Sequence, residues 1–132
     1  MKRIVNTSLF LLFITSLLSM SVKNESFPLA AIEFEFDTID YGTISKGENG
    51  EKIFTFKNNG DAPLLISKVK TSCGCTVPKY SLVPITPGES GEIIVKYDTN
   101  RLGKFSKTIT VISNTESGQK ILKIKGNVVA TQ

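Results

Sequence analysis

Ile53-Phe54-Thr55-Phe56-Lys57-Asn58-Asn59-Gly60 (IFTFKNNG) sets the period of this chain. Phe54 and Phe56 alternate with Ile53, Thr55 and Lys57, so that the phenyl rings share one side of an extended segment, as in a half-buried strand. Asn58-Asn59-Gly60 then supplies a turn, because asparagine and glycine tolerate backbone conformations that other residues avoid.

The same two-residue period recurs on both sides of this stretch. Ile32, Phe34 and Phe36 alternate with Glu33 and Glu35; Leu65 and Val69 share a face with Ser67 and Thr71, opposite Lys68 and Lys70. Further on, Ile93, Val95 and Tyr97, then Phe105, Ile109 and Val111, then Leu122, Ile124 and Val128 mark three more strands. Turn compositions separate them at Pro84–Gly88, Asp98–Gly103 and Ser113–Gly118. No segment carries a capped amphipathic helix. The pattern predicts an all-β chain, an immunoglobulin-like antiparallel β-sandwich of about seven strands, with a small closed barrel as the alternative. The pair of distant cysteines flanking a tryptophan that marks antibody domains is missing, since the cysteines are adjacent and the chain has no Trp.

With 132 residues the length fits one domain. The N-terminus has Lys2 and Arg3, an apolar run from Leu9 to Leu18, and small residues at Ser19 and Ser21, which reads as a signal peptide over 1–21 cleaved near Ser21. The rival is a retained anchor, because Ile4 to Val22 is uncharged, although seven of its residues are polar. Residues 22–30 read as a short tether and 31–130 as the sandwich domain. From residue 22 onward the net charge is +2, since Lys2 and Arg3 account for two of the full chain's +4. The lysines are scattered without interleaved aromatics, which disfavours a nucleic-acid partner.

Read in order, Tyr41-Gly42-Thr43-Ile44, Phe54 to Gly60, Pro63-Leu64-Leu65-Ile66, Ser72-Cys73-Gly74-Cys75-Thr76, Pro87-Gly88-Glu89, Tyr97-Asp98-Thr99 and Ile109 to Asn114 resemble the bacterial secreted family called domain of unknown function 1573. The resemblance runs from about Ile32 to Val128. It implies an exported or envelope β-sandwich, similar in outline to Hydin-type and major-sperm-protein-like modules that act mostly in protein interaction. It carries no catalytic residues.

Cys73 and Cys75 are the only cysteines. Continued as one unbulged strand, the face of Leu65 and Val69 would also hold Thr71, Cys73, Cys75 and Val77, turning both thiols toward the core. Three readings stay open: a structural pair, free or bonded; a redox or disulfide-exchange pair, as an oxidising compartment favours; and a two-thiolate metal site. The last lacks helpers, because the chain has no histidine and no methionine beyond Met20.

Absence of histidine also removes Ser-His and Cys-His nucleophile systems. Ser67 and Lys70, and Ser117 and Lys120, have Ser-x-x-Lys spacing, but residues three apart on a strand face opposite sides, and Ser117 lies in a turn. Glu33 and Glu35 read as a solvated outer face, and Asp98, Thr99 and Asn100 as a strand-capping turn rather than a calcium loop. The sequence therefore points to a non-enzyme without cofactor or metal, exported to the periplasm or cell envelope, with the membrane touched only through an uncleaved N-terminus. It is expected to bind a protein partner through an edge strand, with Ile32–Phe36 and the final strand around Lys120–Val128 as the candidate edges. The alternative is a thiol-disulfide or metal-handling accessory factor built on Cys73 and Cys75.

Overall fold

A computed structural model describes residues 21–131. The signal peptide expected over 1–21 lies, except for Ser21, outside the described residues. Residues 21–29 carry no regular secondary structure.

Eight strands follow: β1 (Ile32–Phe34), β2 (Thr38–Ser45), β3 (Glu51–Asn58), β4 (Ile66–Thr71), β5 (Thr76–Tyr80), β6 (Ser90–Tyr97), β7 (Gly103–Ser113) and β8 (Gln119–Val129). They form two separate four-stranded sheets, ordered β1-β3-β6-β5 and β2-β8-β7-β4. The architecture is an immunoglobulin-like sandwich and not a closed barrel: β1, β3, β6 and β5 occupy the places of strands A, B, E and D, and β4, β7 and β8 those of C, F and G. Among the named strands every pairing is antiparallel except β2 with β8, which is parallel. That exception arises because the chain leaves β1 in one sheet and enters β2 in the other without reversing direction.

Period two does the packing. Phe54, Ile93, Val95, Ile109, Val111, Leu122, Ile124 and Val128 are almost wholly enclosed between the sheets. Phe34 meets Phe54 edge-on and Phe56 at a tilt, with centroids 6.4 and 5.4 Å apart. At the other end Tyr97 stacks on Phe105 at 3.8 Å, and Tyr41 stands edge-on to both.

Four sequence expectations need correction. Phe36 is 63% exposed rather than inward, because β1 ends at Phe34 and the chain is already crossing to the second sheet. In β4 a bulge inserts Ser67 between Ile66 and Lys68, so Leu64 and Ile66 face the core before it and Val69 after it, while Leu65 points out. The stretch from Leu65 to Val77 is not one strand: Ser72–Cys75 is a turn, and Val77 on the far side of it is exposed. The final strand is no edge, since β8 lies between β2 and β7.

Candidate functional site

The turn between β4 and β5 carries the chain from one sheet to the other and holds both cysteines. Ser72 fixes its entry: the Ser72 N–H donates to the Thr108 carbonyl at 3.0 Å, and Thr108 N–H donates back to Ser72 Oγ at 3.1 Å. Thr76 N–H closes the turn on the Cys73 carbonyl at 3.2 Å, and the Thr71 hydroxyl bonds the Cys73 and Thr76 carbonyls at 3.0 and 3.1 Å. The turn brings the two Cα atoms to 5.2 Å, closer than the about 6.6 Å of a straight two-residue strand step. Cys73 and Cys75 are joined as a disulfide.

The sulfurs do not share one environment. Cys75 is buried within the core at 4% exposure, whereas Cys73 packs against that core and is only partly covered, so both side chains face inward as expected but to unequal depth. Bonded to each other, they offer no thiolate to a metal; among the described residues no group of three or more His, Cys, Asp or Glu side chains converges as ligands.

The remaining sequence candidates do not assemble into a reactive centre. Ser67 donates to the Ile112 carbonyl and Ser117 to that of Gln119. Asp98 caps its own turn, accepting from Asn100 N–H at 3.1 Å, and Thr99 is buried with its hydroxyl on the Glu48 carbonyl at 2.6 Å. Asn58, read from sequence as a turn residue, is a fully buried anchor: its amide donates to the carbonyls of Ala62 and Ile85 and accepts from Gly60 N–H. Nothing in the sequence distinguishes it from its neighbour Asn59, because one of the two carbonyls it serves, that of Ile85, comes from a loop 27 residues away.

What the fold does expose is four edge strands, and they are not equivalent. In β5, Asp98 N–H donates to the Cys75 carbonyl, so the register turns Val77 and Lys79 toward β6 and leaves Thr76, Pro78 and Tyr80 facing outward. Pro78 has no N–H, which breaks that edge at its middle. In β2, a bulge between Asp40 and Thr43 is turned by Gly42 at φ +65°. There the strand caps itself: the Asp40 carboxylate accepts from Gly42 N–H at 2.8 Å and Glu48 from Ser45 N–H at 2.6 Å.

The other two edges are open. Asn59 N–H donates to Ala31 O and Glu35 N–H to Thr55 O, so odd-numbered residues of the first strand face β3 and the backbone groups of Ile32 and Phe34 face out. Glu33 and Glu35 project from the outer surface of the sheet, beside a shallow depression of about 410 Å3 lined also by Thr55, Lys57 and Ser90. Glu33 accepts a hydrogen bond from the Asn59 amide. In β4 the Ser72–Thr108 bond sets the alternation, which turns Lys68 and Lys70 toward β7 and the backbone groups of Val69 and Thr71 outward.

Residues 32–128 match the family model described as "Protein of unknown function (DUF1573)". The chain belongs to the DUF1573 family. No curated protein matches it. Among solved structures, a protein of unknown function from Porphyromonas gingivalis W83 superimposes with a TM-score of 0.66 at 20% identity, over 74% of this chain and 46% of that one. The DUF1573 chain thus spans about half the length of that structure. The ASH/PapD-like domain 7 of human CEP192 also gives 0.66, at 11% identity, over 87% of this chain and 97% of its own. A chain of the CsuC–CsuE chaperone–tip adhesion subunit pre-assembly complex from Acinetobacter baumannii gives 0.56 at 10% identity, over 75% and 57%. At such identities these likenesses establish the fold, an immunoglobulin-like and PapD-like sandwich.

Proposed function

We propose that this DUF1573 domain is an exported, non-catalytic module that recognises a partner protein by strand addition at β1, in the periplasm or cell envelope. The carrying observation is the open first edge: unpaired backbone groups at Ile32 and Phe34, with an exposed phenyl ring at Phe36 and carboxylates at Glu33 and Glu35. Main-chain bonds would supply affinity and the alternating side chains specificity. The basic and apolar N-terminus and the paired cysteines support export. The chaperone-type sandwich among the solved likenesses lends the reading a precedent in envelope assembly.

A photo-activatable phenylalanine analogue at position 36 of the full chain, expressed in the producing bacterium, tests this. The expected result is a discrete protein adduct that is lost in the Glu33→Lys, Glu35→Lys variant and not formed by the same probe at Lys79 on β5. Labelling at Lys79 but not at position 36 would overturn it.

The second reading, a thiol-disulfide factor, is favoured by one observation: the bonded pair sits in a surface turn with Cys73 partly exposed. In that role a partner dithiolate would attack Cys73 Sγ, release Cys75 as thiolate, and leave oxidised as the disulfide while Cys73 and Cys75 become thiols. Reduction of the pair by a dithiol at potentials that spare ordinary structural disulfides is the expected sign; a pair that stays oxidised until the fold is denatured would remove this reading.

A further inference from the structure

The two open edges of this domain complement each other, and we infer that β1 of one copy pairs with β4 of a second copy. The inference rests on the reading of open edges as docking sites and names their occupant. The register is dictated by the unpaired groups. Aligned antiparallel, Phe34 meets Val69 and Ile32 meets Thr71 as hydrogen-bonded pairs, because those are the residues whose N–H and C=O point away from β3 and β7. Their side chains then lie together on the inner face.

The intervening pairs decide specificity. In this register Glu33 stands directly opposite Lys70, and Glu35 opposite Lys68, both on the outer face and both in the closer, non-hydrogen-bonded arrangement. All four are exposed, and among the described residues none of them takes part in an ion pair. Homotypic pairing fails by the same geometry: with Ile32 opposite Phe34, β1 against β1 opposes Glu33 to Glu33, and with Val69 opposite Thr71, β4 against β4 opposes Lys70 to Lys70. Ser67, at the bulge, ends the ladder where Phe36 leaves the strand.

β1 and β4 belong to different sheets and sit at opposite ends of the strand orders: β1 leads through the short link 35–37 into β2 at one edge, and β4 packs beside β5 at the other. Each copy therefore presents one donor edge and one acceptor edge. Such head-to-tail contacts propagate into rows or close into rings rather than stopping at a symmetric dimer.

Zero-length carbodiimide coupling tests the pairing, since it condenses a carboxylate with an amine in contact and loses water to the reagent. Full chains made with light and heavy nitrogen are mixed and coupled, and the cross-linked peptides are weighed. Mixed-isotope Glu33–Lys70 and Glu35–Lys68 links are expected. The Glu33→Lys, Glu35→Lys chain should self-associate about tenfold more weakly, as should the Lys68→Glu, Lys70→Glu chain, while an equal mixture of the two regains association because each new edge meets its complement. Unchanged melting temperatures would show that the variants fold. Only same-isotope links, or variants that self-associate as well as the parent, would overturn the inference. If Glu33 and Glu35 instead couple to lysines of another protein, self-pairing is wrong and the proposed function stands; if they couple to nothing and the probe at position 36 is silent, both fall.

Discussion

Asn58 Nδ2 donates to the carbonyl oxygen of Ile85 at 2.9 Å, joining the end of β3 to a loop 27 residues later. The same nitrogen reaches the Ala62 carbonyl at 2.8 Å, and Oδ1 accepts from Gly60 N–H at 2.9 Å. The residue is fully buried, so Asn58→Ala orphans several backbone groups at once. Each such orphan costs about 1–3 kcal/mol, and the predicted total loss is about 3 kcal/mol of unfolding free energy, read from denaturant titration. A loss below about 1 kcal/mol would mean that water replaces the amide.

Tyr41 closes the opposite end. Its hydroxyl donates to the Gly50 carbonyl at 2.6 Å, and burial pushes its pKa from 10.0 up to about 12. The folded state therefore favours the neutral phenol. Its contribution is fully present below about pH 10 and is lost as pH rises through 12, a fall of roughly 2 kcal/mol. Unfolding measured from pH 9 to 12 should show this alkaline limb in the parent and a shallower one in Tyr41→Phe.

Removing the disulfide should matter little to the fold. The bridge closes a three-residue loop, for which the chain-entropy estimate is about 1–2 kcal/mol. The Cys73→Ser, Cys75→Ser double variant is expected to keep its circular dichroism and lose no more than that in stability. Native protein treated with an alkylating agent and weighed should gain no label; two labels would contradict the bond.

Pro78 guards β5. Its outward-facing position lacks an N–H, so Pro78→Thr restores a donor in the middle of that edge. Light scattering at matched concentration should rise faster for the variant than for the parent. Unaltered solubility would mean that something other than proline protects β5.

Much of this fold was legible in the sequence because an inward–outward alternation is local. Phe54 and Phe56, Ile93 to Tyr97, Phe105 to Val111 and Leu122 to Val128 all pack where period two places them. The failures come from geometry that the period does not encode. The extra residue at Ser67 reverses parity without altering composition, and the turn at Ser72–Cys75 ends a run of alternating residues that looked continuous. β2 escaped notice because its bulge at Gly42 breaks the alternation after Tyr41. Which strands are edges depends on long-range pairing: β8 is internal only because β2, some 80 residues earlier, lies alongside it. The cysteine pair was legible as a motif, but its unequal burial follows from the sheet crossing.

Amide hydrogen exchange, residue by residue, tests the central claim most directly, since that claim concerns which backbone groups are unpaired. In dilute protein the Ile32 and Phe34 amides on β1 should exchange rapidly, while Glu33 and Glu35, bonded across to β3, are protected; on binding to the docked strand, Ile32 and Phe34 should slow markedly. Slow exchange at Ile32 and Phe34 in the isolated monomer, or no change there on binding, would contradict the account.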